Sequence, residues 1–293
     1  LESLNAISVD KGEMNVSLCI VENCPESPAR ETLGDVSKLS IWPLKYITEQ
    51  ERGIVSARNR ALDEVSSDAD FVAFLDDDET VSEGWLTAMV ETAFRTNADA
   101  VQGPVLPDYE VPPQDWIERS GIFRLGPFAS DEVLGFASTN NVLITNRYLN
   151  QKKPRFDPRF NTTGGEDEEF FFRLRRAGGT IRAASKAIVH DQVPRNRLTL
   201  KWALRRKFRM GNTLGRIAKI HRDRTVLRFL KGLGASLKGV GTCLVLGLGS
   251  KNRFIGGMLE AARGFGMISA FCGVAFKEYS VSAVSKDRRE QTS

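Results

Sequence analysis

Two histidines and four cysteines are all that this 293-residue chain offers of the softer metal-binding side chains. The cysteines (Cys19, Cys24, Cys243, Cys272) form no C-x-x-C pair and three sit in apolar runs, which excludes a zinc ribbon and a disulfide framework and fits reducing, cytoplasmic surroundings. No apolar run reaches the roughly 20 residues that a bilayer span requires. The longest nearly apolar runs, Gly239 to Gly249 and Gly264 to Phe276, stop short of it, so an interfacial or re-entrant hairpin is expected rather than a span. Repeats and low-complexity tracts are absent, which excludes a solenoid. Only the last dozen residues are expected to be unstructured. The first fifteen residues lack the basic-then-apolar pattern of a secretory leader.

What is present is unevenly distributed. The net charge of +4 hides a segment from Arg195 to Lys231 with thirteen Lys/Arg against one acid, Asp223, which is +12 and leaves −8 for the rest. An acidic body joined to a basic stretch implies two surfaces with different partners, one suited to cations or sugars and one to phosphates. Aromatic residues in the basic segment are few (Trp202, Phe208, Phe229), and its continuation is apolar and Gly-rich, so no nucleic-acid partner is expected.

The pattern predicts an α/β protein. Val16 to Val21 reads as a buried strand with Glu22-Asn23 at its polar end, Ser56 to Val65 as a helix after Gly53, and Phe71 to Leu75 as a second buried strand. Strand, helix, strand implies a parallel sheet. A helix is expected from an N-cap at Ser82 through Leu86, Met89, Val90 and Ala93, and a strand from Ala98 to Val105. Pro104 to Pro113 should be loop, Asn141 to Ile144 strand, Glu166 to Ala177 a helix closed by Gly178-Gly179, and Ile188 to His190 a last strand. Leu198 to His221 reads as a long basic amphipathic helix. The expected organisation is residues 1–197 as a catalytic domain and 198–293 as a basic, membrane-associating tail. The opening Leu1 to Ile7 resembles the end of a helix, so a truncated amino terminus is expected.

Asp76, Asp77 and Asp78 follow the second strand directly. Open α/β sheets hold their ligands at the carboxyl ends of strands, and three adjacent carboxylates repel one another unless a cation intervenes. Their hard oxygens suit Mg²⁺ or Mn²⁺ carrying a diphosphate; a solvated acidic loop is the plainer alternative. Glu166-Asp167 opens a helix, where the dipole alone would favour two acids.

These pieces together resemble family 2 glycosyltransferases of the GT-A type. Phe74-Leu-Asp-Asp-Asp-Glu79 is similar to the D-x-D motif, Gly53-x-x-x-Ala57-Arg58-Asn59 to the nucleotide-site helix, and Gly164-Gly165-Glu166-Asp167 followed by Ile188-Val189-His190 falls in the family's order. The match runs from about Ile7 to Arg209 and is nearest to bacterial exopolysaccharide enzymes of the succinoglycan-biosynthesis type. The resemblance implies a GT-A fold, mostly parallel, with its first strand missing here, and an inverting transfer from a UDP-sugar. It implies Asp167 as catalytic base, Asp78 and His190 as metal ligands, and Glu22, Arg58, Asn59, Asp76 and Asp77 on the donor nucleotide. Asn140, Asn141, Glu166 and Arg206 are expected at the acceptor or diphosphate. Thr139 shares the turn with Asn140 and Asn141, and Arg205 and Arg209 share the helix with Arg206, where a diphosphate clamp and a lipid-facing surface are both open readings. The Q-x-x-R-W motif of processive enzymes is absent, which disfavours polymerisation. Further implied are a polyprenyl-diphosphate-linked oligosaccharide acceptor, an anionic membrane surface, and a peripheral or monotopic place on the cytoplasmic face of the bacterial inner membrane. Sugar-phosphate nucleotidyltransfer and a non-catalytic membrane scaffold are the rival readings.

Overall fold

The structure is a computed structural model and describes residues 1–9, 14–24, 36–246 and 249–277; the last dozen residues lie outside that range. The chain divides into two compact units, one of 1–106 with 125–191 and one of 107–124 with 192–293.

The first unit is mixed α/β. After the short helix α1 (Glu2–Asn5), β1 (Leu18–Glu22) pairs in parallel with β2 (Leu44–Thr48), Leu18 opposite Leu44 and Glu22 opposite Thr48. Helix α2 (Ile54–Asp63) leads to β3 (Phe71–Leu75), β4 (Glu79–Val81), α3 (Trp85–Thr96) and β5 (Ala100–Gln102). Strand β6 (Val105–Tyr109) and helix α4 (Asp115–Ser120), which from residue 107 on belong to the second unit, come next in the chain, and the first unit resumes with β7 (Asn141–Thr145), α5 (Asn146–Lys152), α6 (Glu166–Arg176), β8 (Ile181–Ala183) and β9 (Val189–Val193), whose last two residues are the second unit's. The larger sheet has the order β3-β7-β5-β8. The expected α/β class is therefore met, with sheets flanked by helices. Strand directions are mixed rather than mostly parallel, because β7 runs antiparallel to both its neighbours, while β5 and β8 are parallel.

Apolar periodicity explains the core. Trp85, Met89 and Ala93 repeat at four-residue spacing on α3 and pack with Val101, Leu143 and Val189. A second aromatic group lies under β3, where Phe74 meets Phe156 edge-on at 5.9 Å and Phe156 stacks on Phe170 at 4.6 Å. A fully buried Phe contributes roughly 1.5–3 kcal/mol, so this cluster is a firm floor for whatever follows β3.

Two local expectations are corrected. Helix α3 starts at Trp85, not beside Ser82, because the Ser82 N–H donates to the Ile188 carbonyl (3.0 Å) and stays extended beyond β4. The segment expected as loop after Pro104 contains β6 with Pro107 inside it; β6 is an edge strand, where a missing N–H is tolerated.

The second unit is a helical layer. The long basic helix is α7 (Leu200–Ile220), capped by the Thr199 hydroxyl, which accepts from the Trp202 N–H at 3.3 Å. Helix α8 (Thr225–Gly241) runs into a π-helical turn (Thr242–Leu246), and α9 (Lys251–Phe271) returns. The glycines that punctuate this region sit where backbones cross. A Cβ on Gly266 would lie 1.9 Å from the Phe208 carbonyl oxygen, and one on Gly211 would lie 1.9 Å from that of Arg263. Trp116, Ile117, Phe123, Leu198, Ala203, Ile255 and Leu259 form this unit's core. No helix among the described residues is long and apolar enough to cross a membrane.

Candidate active site

The acidic triplet follows β3 because an apolar strand, one face of which lies on the Phe156 cluster, stops abruptly where the sequence turns polar. Arg58, on α2, reaches this point from the side. Its guanidinium pairs with Glu166 and, at 3.3 Å, with Asp76, and it lies 6.0 Å from the centre of the Phe156 ring. The Arg58 side chain is 11% exposed and that of Glu166 3%, whereas Asp76 keeps 44% of its side chain open to solvent.

Charge accumulates here. Surrounding protein withdraws water from Asp76 and raises its carboxyl pKa; Arg58 opposes this, while Asp78, Asp167 and Asp77 reinforce it. Glu79 is pushed up to about 9, first by burial and then by Asp76, with Asp191 and Asp78 adding to the effect. Glu79 also accepts a hydrogen bond from the Asp76 N–H at 3.0 Å. Asp167, 91 positions further along the chain than Asp76, is thus near enough to act on its charge.

Asp167 lies in the first turn of α6, after Gly164 and Gly165, both at positive φ (69° and 84°). One carboxylate oxygen accepts from the Glu168 N–H (2.8 Å), the other from the Ser138 hydroxyl (2.8 Å). Ser138 is itself fixed by the buried Gln102, whose Oε1 accepts from the Ser138 N–H at 2.6 Å. A polar relay thus runs from the sheet to Asp167 and sets its orientation.

The other expected residues divide. Glu22 ends β1 and accepts from the Tyr46 hydroxyl; Asn23 beside it accepts from the Gly53 N–H at 2.5 Å, tying the end of β1 to the start of α2. Asn59 points elsewhere: its amide both donates to the Phe156 carbonyl (3.0 Å) and accepts from the Phe156 N–H (2.8 Å), clasping the backbone. Asn141 is fully buried and donates to the carbonyls of Pro104 and Ala187 while accepting from the Trp85 indole N–H. Asn140 keeps a buried Oδ1 without a hydrogen-bond partner, as does the Thr139 hydroxyl. His190 is exposed on β9 opposite Thr80, and Asp191 faces Glu79. Strand alternation puts His190 on the other side of β9 from Asp191. Arg206 belongs to the second unit, where its guanidinium lies 5.2 Å from the centre of the Trp202 ring.

Four contributors escaped the sequence reading: Ser138, Gln102, Asp191 and Asn161. Asn161 caps α2 from 106 residues away, its Oδ1 accepting from the N–H groups of Val55 (3.0 Å) and Ser56 (3.4 Å), and Gly53 leaves it room. Glu79 carried a legible signal, since a fourth carboxylate beside three others cannot share their ionisation.

Among the described residues no three His, Cys, Asp or Glu side chains gather closely enough to hold a metal ion by themselves. Hard oxygens in electrostatic surplus, with Asp76 and Glu79 both driven towards their protonated forms, still suit a divalent cation. Mg²⁺-like ions commonly take one or two carboxylates and complete their shell with water and substrate phosphate, so the donor set fits an ion that arrives with a diphosphate.

Residues 1–151 match the description "Glycosyl transferase family 2". Over 220 residues, 74% of this chain and 69% of the relative, the sequence is 38% identical to the succinoglycan biosynthesis protein ExoM of Rhizobium meliloti (strain 1021). It is 22% identical to the hyaluronan synthase of Pasteurella multocida over 184 residues, which cover 52% of this chain and 19% of that protein. Among solved structures, the mannosyltransferase PcManGT from Pyrobaculum calidifontis, in complex with GDP-Man and Mn²⁺, superposes with a TM-score of 0.60 at 14% identity over 92% of this chain and 81% of the other. S. aureus TarS 1-349, in complex with UDP, gives 0.49 at 14% identity over 93% and 86%.

Proposed function

The chain belongs to glycosyltransferase family 2, and from that premise we propose that it transfers a hexose, glucose from UDP-glucose, with inversion onto a polyprenyl-diphosphate-linked oligosaccharide in exopolysaccharide assembly. The resemblance to a succinoglycan biosynthesis protein supports the pathway class. The observation that carries the reading is Arg58, which pairs with Asp76 at the end of β3 and with Glu166 beside Asp167 and so joins the acidic strand end to the helix start that bears the expected base.

In the transfer, a bond forms between the acceptor hydroxyl oxygen and the anomeric carbon while the bond from that carbon to the diphosphate oxygen breaks, and UDP departs. Asp167 takes the acceptor proton. The Glu168 N–H holds one of its oxygens and the Ser138 hydroxyl the other, which keeps the carboxylate from swinging. Proton abstraction by a positioned base contributes about 10²–10⁴ in rate. A divalent ion, Mn²⁺ or Mg²⁺, would be held by Asp78 and would neutralise the departing diphosphate, with His190 assigned to the same ion on the family resemblance. The shared fold with PcManGT, whose complex contains Mn²⁺, is in keeping with this. Asp76, Asp77 and Glu22 are assigned to the nucleotide, with Arg58 holding Asp76 and Glu166 in position. Asn140 and Thr139, with buried oxygens that have no partner, are assigned to a sugar hydroxyl. The chain acts at the cytoplasmic face of the inner membrane, residues 198–293 being its membrane-associating part.

The test is transfer of label from UDP-glucose in the presence of Mn²⁺ to a lipid-linked acceptor, by the full chain and by Asp167→Asn. The variant should fold and lose about 10²–10⁴ in kcat. A folded Asp167→Asn with near-full transfer would falsify the assignment of the base.

A further inference from the structure

Helix α8 has three faces. Gly232, Ser236 and Gly239 are buried against α9, where a Cβ on Gly239 would meet the Ala261 backbone nitrogen at 2.4 Å. A second face is open and apolar: Val226, Leu230 and Leu237 are 73%, 54% and 65% exposed, and the same surface continues through Leu244 and Val245 in the π-helical turn at 69% and 71%. Isolated exposed leucines are ordinary, but a run at helical spacing over five turns marks a surface with a partner.

The third face is basic. Between α8 and α9 lies a cavity of about 340 Å³ lined by Arg228, Lys231, Lys238 and Arg263 against a single acid, Glu260. Arg228 is steadied by Asp223 at 3.7 Å and Arg263 by Glu260 at 3.8 Å, while Lys231 and Lys238 are exposed. From Thr225 to Leu246 there is no acidic residue. At 100° per residue, Lys231 and Lys238 stand along one edge of the apolar face. An apolar strip rimmed by cations on a helix too short and too charged to span is the signature of a helix lying in a membrane interface.

We propose that α8 and the turn after it lie flat on an anionic phospholipid bilayer, with Leu230, Leu237, Leu244 and Val245 in the acyl boundary and the basic cavity receiving a lipid phosphate headgroup. The inference rests on the membrane-face reading above and gives it a surface and a ligand. Charge selects the occupant. Two copies of this face brought together would set cations against cations, whereas an anionic leaflet attracts them, each worth about fivefold in affinity.

The experiment is vesicle flotation of the full chain on phosphatidylcholine alone and on phosphatidylcholine mixed with phosphatidylglycerol. The chain should float with the mixed vesicles and poorly with the neutral ones. Lys231→Gln/Lys238→Gln should bind the mixed vesicles about 25-fold more weakly, and Leu237→Gln/Leu244→Gln should lose binding to both. All of these positions are exposed, so circular dichroism should show native helix in each variant. Equal binding to neutral vesicles, unaffected by the lysine changes, overturns the headgroup site. Failure to float, together with concentration-dependent dimerisation abolished by Leu237→Gln, overturns the lipid in favour of a second copy. Failure to float, with inorganic phosphate alone raising the melting temperature through Lys231, overturns it in favour of a free anion. Label transfer to a detergent-solubilised acceptor is measured alongside: retained transfer without flotation sinks only the docking surface, and flotation without transfer sinks only the catalytic reading.

Discussion

Replacing Arg58 by methionine tests the electrostatic construction of the site directly. The Arg58–Glu166 pair is enclosed on both sides, with 11% and 3% of the side chains exposed, whereas the Asp76 contact is nearly half open. Removing one member of a buried pair leaves the other's charge buried without its counter-ion and costs about 3–5 kcal/mol; the open Asp76 contact adds less than about 1 kcal/mol. Methionine keeps an apolar stem against Phe156, so the loss reports charge rather than packing. At roughly 2–4 °C per kcal/mol for a unit of this size, Arg58→Met should melt about 6–20 °C below wild type. Glu166→Gln added to it should recover most of that loss, because a neutral amide needs no cation. Thermal melts of the two single variants and the double variant close the cycle. An Arg58→Met cost under about 1 kcal/mol, or a double variant no better than Arg58→Met, would refute the reasoning.

Three further outcomes are expected. Asn161→Ala removes the acceptor for the Val55 and Ser56 N–H groups in the first turn of α2 and should cost about 1–2 kcal/mol in a chemical melt; a neutral result would show that the cap is dispensable. Glu79 holds in the folded chain a proton that the unfolded chain releases above its usual 4.5, so its contribution is fullest below about pH 4.5 and is lost as pH rises towards about 9. With chelator present, wild-type melting temperature should therefore fall relative to Glu79→Gln between pH 5 and 9, and a constant difference would contradict it. Gly266→Ala puts a methyl 1.9 Å from the Phe208 carbonyl and should destabilise the helical unit by several kcal/mol, whereas Gly256→Ala, with nothing within 4 Å, should be neutral or slightly stabilising. Protease susceptibility of α7 to α9 separates the two.

Local physics made much of this legible beforehand. An apolar five-residue run ending in carboxylates is a strand edge whatever surrounds it, so the sequence alone locates β3 and its Asp76-Asp77-Asp78 terminus. Two glycines before four acids are the start of a helix for the same reason, since positive φ and the helix dipole act within a few residues. The basic amphipathic helix was equally plain from its periodicity. Strand direction was not, because a strand reads the same whichever way its neighbour runs, and β7 reversed the expected parallel order.

Composition and spacing, then, were enough to determine that this is an α/β protein with an acidic strand edge, a helix-opening Glu-Asp pair and a basic helical region. Only the tertiary structure decided which side chains share those charges: Arg58 with Glu166 across 108 residues, Asn161 with the start of α2 across 106, and Ser138 with Asp167 across 29. Asn59 and Asn141, polar residues in promising places, are held by backbone partners far along the chain. The reason is range: dipoles, caps and periodicity act over one turn or one strand, whereas a buried charge takes its partner from whatever the packing brings within a few ångströms.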